Sequence, residues 1–192
     1  MTALEILLKS VHSSPHEDAR KVLFRIVKTS REMLVDRGYE NVVASPDPWS
    51  DVVSGSPVVT STGCHVLFHN EAKVGVKVIR SFMEETEETQ ERLVCISVEG
   101  PTPYTKAEVS GGRVQFLLAR SMSFNPTRHH LVPEHVVVTD HTRHHSFLPK
   151  ILQSDPITVY YDWPLGTVVK IVRRFGGHGP VPYYRVVSAR KS

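Results

Sequence analysis

Apolar positions recur at three- and four-residue steps through Ala19, Val22, Leu23, Ile26, Val27, Met33 and Leu34, and this spacing predicts one amphipathic helix. Its start is written in Ser14-Pro15-His16-Glu17. Ser14 can cap, Pro15 suits the first helical position, and Glu17 stands three residues after the cap. Gly38 supplies a left-handed stop. Lys21, Arg25, Lys28 and Arg31 share the opposite face, which reads as a solvated face rather than a grip on nucleic acid. Strand-type runs follow at residues 64–69, 93–98 and 114–119, with a helical stretch through Val76, Ile79, Arg80 and Met83 between the first two. This alternation predicts an α/β unit. Residues 41–63, rich in Pro, Ser, Asp and Gly, predict an irregular connection.

Between residues 121 and 130 the pattern lapses into Ser, Asn, Pro, Thr and Arg. A boundary there divides the chain into domains 1–126 and 127–192. The second part is short and strand-rich, with runs at 131–138, 167–173 and 183–187 and a turn at Gly176-Gly177-His178-Gly179-Pro180. Asp155-Pro156 starts a short helix reaching Tyr161, because Asp caps and Pro sits first.

Charge narrows the function. A net +3 over 192 residues offers no bulk electrostatic grip on nucleic acid, so any DNA contact is local and weak. Cys64 and Cys95 lie in apolar runs and read as reduced core residues. No uncharged apolar run approaches the roughly 20 residues that span a bilayer, so an intracellular, soluble protein with no membrane partner is expected.

Three patterns suggest chemistry. Pro46-Asp47 followed by Glu71-Ala72-Lys73 fits a loose metal-dependent nuclease pattern, in which carboxylates hold Mg²⁺ and the lysine positions water. That chemistry needs both carboxylates on adjacent strand ends, whereas Pro48 follows Asp47 within a Pro- and Ser-rich stretch, so the nuclease is the alternative reading. His129, His130, His135, His141, His144 and His145 lie close together, but with only Asp140 nearby they read as loop histidines, not a metal site. The glycine-rich loop at 176–180 lacks the Lys-Ser/Thr and helix of a phosphate cradle. Neither metal nor cofactor is expected.

The last third carries a specific ordered series: Leu131-Val132-Pro133-Glu134-His135, Leu148-Pro149-Lys150-Ile151, Ser154-Asp155-Pro156, Tyr160, Gly166, the run Val168-Val169-Lys170-Ile171-Val172-Arg173-Arg174, and Tyr184-Arg185-Val186-Val187. This series resembles the assembly domain of the fifth subunit shared by nuclear DNA-dependent RNA polymerases, the part that matches a small subunit of archaeal RNA polymerase. Upstream, the stretch from Arg25 to Tyr39 resembles the family's opening helix, and Val74-Gly75-Val76-Lys77 with Phe82 its central helix. Thr102-Pro103-Tyr104-Thr105 falls where the family has a Thr-Pro segment facing downstream DNA.

The resemblance implies an α+β protein of two domains. The first would be a jaw domain of restriction-endonuclease-like α/β type without that chemistry, the second a small mixed-sheet assembly domain. It implies a non-catalytic subunit in the nucleus, with Thr102, Pro103, Tyr104 and Thr105 near duplex DNA. Leu131, Pro133, His135, Pro149, Asp155, Pro156, Arg173, Arg174 and Arg185 would contact the largest polymerase subunit. Two departures stand out: residues 136–147 are shorter than the family's charged helical segment, and Tyr104 replaces a small residue. Both point to a variant dedicated to one polymerase class, the one making ribosomal RNA, and hence to the nucleolus.

Overall fold

The computed structural model describes residues 19–71, 73–109, 112–139, 147–174 and 179–189. The chain falls into two compact units, Met1–Phe124 and Asn125–Ser192.

The amino-terminal unit begins with helix α1, Ala19–Asp36, which buries Val22, Leu23, Ile26, Val27, Met33 and Leu34 along one stripe. Each such side chain contributes about 1.5–3 kcal/mol by leaving water, so this stripe anchors the helix. The predicted cap at Ser14 lies outside the described residues. At the other end Gly38 takes φ 85°, and the amides of Gly38 and Tyr39 bond back to the carbonyls of Val35 and Leu34. A residue with a Cβ is strained there, which is why the glycine ends the helix.

The connection expected at 41–63 is instead ordered structure. Strand β1, Val43–Ala44, leads to helix α2, Pro48–Ser54, whose amino end is capped by Asp47 through the Ser50 amide. Strand β2, Pro57–Ser61, then pairs with β3, Cys64–Phe68. Val58 and Val59 are both fully buried, and their burial on the two faces of β2 outweighs the turn-forming composition around them.

After β4, Lys73–Val74, helix α3 spans Val76–Glu85, followed by β5, Arg92–Ser97, and β6, Gly100–Pro101. The short helix α4, Pro103–Glu108, and β7, Val114–Leu118, complete the unit. The main sheet has the order β1-β2-β3-β5-β7, antiparallel through its first three strands and parallel through β3, β5 and β7. Its parallel half is buried on both sides, so Val94, Cys95 and Ile96 read as a continuous apolar run. Both cysteines are buried and neither forms a disulfide, as their apolar settings indicated. Arg113 closes the turn after α3 by donating to the Thr86 and Glu91 carbonyls and to the Thr86 hydroxyl.

The carboxy-terminal unit is built on a mixed four-stranded sheet of order β8-β10-β11-β9. Its strands are β8, Glu134–Val137; β9, Lys150–Leu152; β10, Val168–Arg174; and β11, Pro180–Ser188. The first three strands of that order are antiparallel, and β9 joins β11 in parallel. Strand β8 is shorter than the predicted 131–138, because His129 and Val132 are held in a backbone turn before it. Helix α5, Pro156–Tyr161, starts at Asp155 as predicted, with the carboxylate accepting the Ile157 amide at 3.0 Å. Ile151, Val169, Ile171 and Val187 form the core, with Trp163 packed against it.

Candidate functional site

Strand periodicity builds the principal site. On β10, Val169, Ile171 and Arg173 project to one face of the sheet. Antiparallel partners share a face, so His135, opposite Ile171, and Arg185, opposite Val169, project the same way. Ile151 joins them through its pairing with Val187. The turn before β8 and the start of α5 wall this face into an open cleft of about 370 Å³. Leu131, Pro133, His135, Asp155, Pro156, Arg173 and Arg185 all line it. Of the other two residues singled out in the sequence, Pro149 is exposed beside β9, its carbonyl accepting the Val186 amide, and Arg174 ends β10.

The floor of the cleft is apolar. Ile151, Ile157 and Ile171 supply it, and pattern reading of the sequence does not single them out as site residues. The signal that finds them is the two-residue period that puts Ile171 on the same face as Arg173. Leu131 stands 75% exposed at the rim. Two guanidinium groups flank the floor. Arg173 lies over the Tyr183 ring at 5.5 Å, and Arg185 donates to the Lys150 carbonyl at 3.0 Å. Each is thereby held in place while keeping further N–H groups for a carboxylate.

His135 donates from Nδ1 to the Pro133 carbonyl at 2.7 Å. Burial pushes its pKa below the ordinary 6.5; the Pro133 carbonyl and Asp155 oppose that shift, and Arg173 adds to it. The imidazole is therefore neutral at pH 7 and packs as part of the apolar floor. This arrangement offers an acidic or neutral protein surface an apolar seat with two fixed cations. Its described lining contains no serine, threonine or cysteine.

In the segment from Thr102 to Thr105 the four side chains divide between structure and surface. Thr102 caps α4 through the Thr105 amide at 3.2 Å, and the two hydroxyls lie 2.8 Å apart. Thr105 is fully buried, its hydroxyl donating to the Val74 carbonyl at 3.0 Å. The outward surface at this turn is thus Pro103 and Tyr104, the latter 62% exposed.

The residues of the nuclease pattern are used separately. Asp47 caps α2, the Glu71 carboxylate lies 3.8 Å from His69 Nε2, and Lys73 pairs with Glu99 at 3.6 Å. Of the clustered histidines, His129 and His130 stack on each other and His135 lines the cleft, while His141, His144 and His145 lie outside the described residues, as does most of the glycine-rich turn at 176–180. Among the described residues no trio of His, Cys, Asp or Glu converges as a metal site, and no helix is long and apolar enough to cross a membrane.

A family model described as RNA polymerase Rpb5, C-terminal domain, matches residues 124–187, which include the whole cleft. Along its length the chain is similar to proteins named DNA-directed RNA polymerases I, II, and III subunit RPABC1. The relative from Caenorhabditis briggsae is 28% identical over 195 residues, covering 94% of this chain and 92% of the relative. That from Caenorhabditis elegans is 29% identical, covering 86% and 95%. The Dictyostelium discoideum relative is also 29% identical, covering 88% and 98%.

Proposed function

We propose, on the premise that this chain belongs to the Rpb5 family of RNA polymerase subunits, that it is a non-catalytic structural subunit of a nuclear DNA-dependent RNA polymerase. Its carboxy-terminal unit is the assembly domain and docks on the largest subunit through the cleft between β8, β10, β11 and α5. The observation that carries this reading is the convergence of Leu131, Pro133, His135, Asp155, Pro156, Arg173 and Arg185 on one apolar-floored cleft. An interface core of this kind, apolar at the centre with arginines at its edge, is the composition that protein contacts favour.

In the same reading the amino-terminal unit, of restriction-endonuclease-like type, forms part of the lower jaw near downstream DNA. Pro103 and Tyr104 face the duplex, and Thr102 and Thr105 fix the turn that presents them. Contact is weak and made within the assembled enzyme, since a net charge of +3 neutralises few phosphates. The exposed Tyr104 ring fits a variant serving the polymerase that makes ribosomal RNA, and so a nucleolar location.

The test is a photo-cross-linker, benzoylphenylalanine, placed at Leu131 in the tagged chain in cells. The expected adduct is with the largest polymerase subunit. An adduct only with proteins outside the polymerase would overturn the docking assignment. Separate purification of the three nuclear polymerases tests the class: the chain is expected in one and absent from the others.

A further inference from the structure

We propose that a second concavity, in the amino-terminal unit, is a docking site for a protein segment that carries an aliphatic side chain next to a lysine or arginine. The concavity, of about 450 Å³, lies between the end of α2, the end of β3 and one face of α3. Leu67, Phe68 and Leu93 form its buried floor, and Val78 and Phe82 form a half-buried wall. Val53 stands 65% exposed at its edge, so an apolar partner group gains area there that water now covers. On α3 the lining positions are Val78, Ser81, Phe82 and Glu85, the three- and four-residue spacing of a single helix face.

Charge at the rim decides the occupant. The described lining contains Glu71 and Glu85 and no Lys or Arg. The Glu71 side chain is 82% exposed at the rim, and Glu85 is exposed beside it on α3. The apolar floor calls for an aliphatic or proline side chain, and the carboxylates for an adjacent cation. Phosphate, and with it nucleic acid, is repelled by the same rim. The site shares no residue with the DNA-facing turn or with the carboxy-terminal cleft, and it does not depend on polymerase membership.

The experiment uses the ¹⁵N-labelled full chain and three acetylated, amidated synthetic peptides. They share the frame Leu-X-Pro-Leu-X-Gly and carry lysine, glutamate or glutamine at X. Saturable shifts of the Val53, Asn70 and Phe82 amides with the lysine peptide are expected, with none from the glutamate peptide. The E71K/E85K variant changes two exposed side chains and keeps the fold. It is expected to weaken the lysine peptide at least about fivefold, as loss and reversal of two rim ion pairs requires, and to bind the glutamate peptide instead. No shift with any peptide, equal shifts with all three, or shifts centred away from these amides would overturn the proposal.

Discussion

His135 of β8 stands directly opposite Ile171 of β10, and the two side chains share the face of the sheet that floors the carboxy-terminal cleft. One pair thus serves two ends. Ile171 belongs to the core with Ile151, Val169 and Val187, yet it also lines the cleft, so the stability of the unit and the shape of the cleft are coupled. Ile171→Ala is expected to lower the unfolding free energy by about 2–4 kcal/mol, the transfer loss plus the cavity it leaves. Urea denaturation measures it. A loss below about 1 kcal/mol would show that this face is not packed as a core.

The pH dependence follows from His135. Its folded-state pKa lies below 6.5, so the unfolded chain takes up a proton first as pH falls. The residue's contribution is fully present above the unfolded pKa near 6.5 and is lost as pH falls through that value toward the lower folded one. Comparing urea midpoints at about pH 7.5 and about pH 5.5 should therefore show a smaller decline for His135→Phe than for the unaltered chain. An equal decline would mean that the imidazole titrates as if free in solution.

The cysteines should be inert in the folded chain. Burial alone pushes the Cys95 thiol up to about 12, and Cys64 is buried as well. Because the thiolate is the reactive form, Ellman's reagent should find essentially no thiol in the native protein and both after denaturation. Fast reaction of a thiol in the native state would contradict the packing of β3 and β5.

Parts of this architecture are legible in the sequence for physical reasons, and others are not. Helix α1 declares itself because Val22, Leu23, Ile26 and Val27 repeat over several turns, and α5 because Asp155-Pro156 is a strong start signal. Asp47-Pro48 is the same signal. It is masked because the helix after it is only seven residues long and buries a single apolar side chain, Val52, within a Pro- and Ser-rich stretch. The residues at the rim of the cleft come from resemblance to a family. Its floor does not, because joining Ile151 of β9 to Ile171 of β10 requires the strand order β8-β10-β11-β9, which no local pattern encodes. Thr105 is hidden in another way: sequence does not distinguish an exposed threonine from one whose hydroxyl is turned inward to Val74.

Charge reversal of the cleft arginines tests docking separately from folding. Arg173→Glu with Arg185→Glu should reduce co-purification of the largest subunit by about tenfold or more, as truncated arginine anchors do at protein interfaces. Stability should fall by no more than about 1–1.5 kcal/mol, the net worth of the Arg185 hydrogen bond to Lys150. Undiminished co-purification would remove the two arginines from the interface.

Free DNA should bind poorly. At near-physiological salt a Kd weaker than about 1 μM is expected, with affinity falling further as salt is added, because few phosphates are neutralised. Fluorescence anisotropy with a labelled duplex measures it, and nanomolar, sequence-selective binding by the isolated chain would contradict a weak, local contact.

The most direct test of polymerase membership is affinity purification of the tagged chain from nuclear extract, followed by mass spectrometry of the co-purifying proteins. Both large catalytic polymerase subunits should be recovered in near-equal amount with the bait. Reproducible recovery of the chain with neither large subunit would contradict its place in the enzyme.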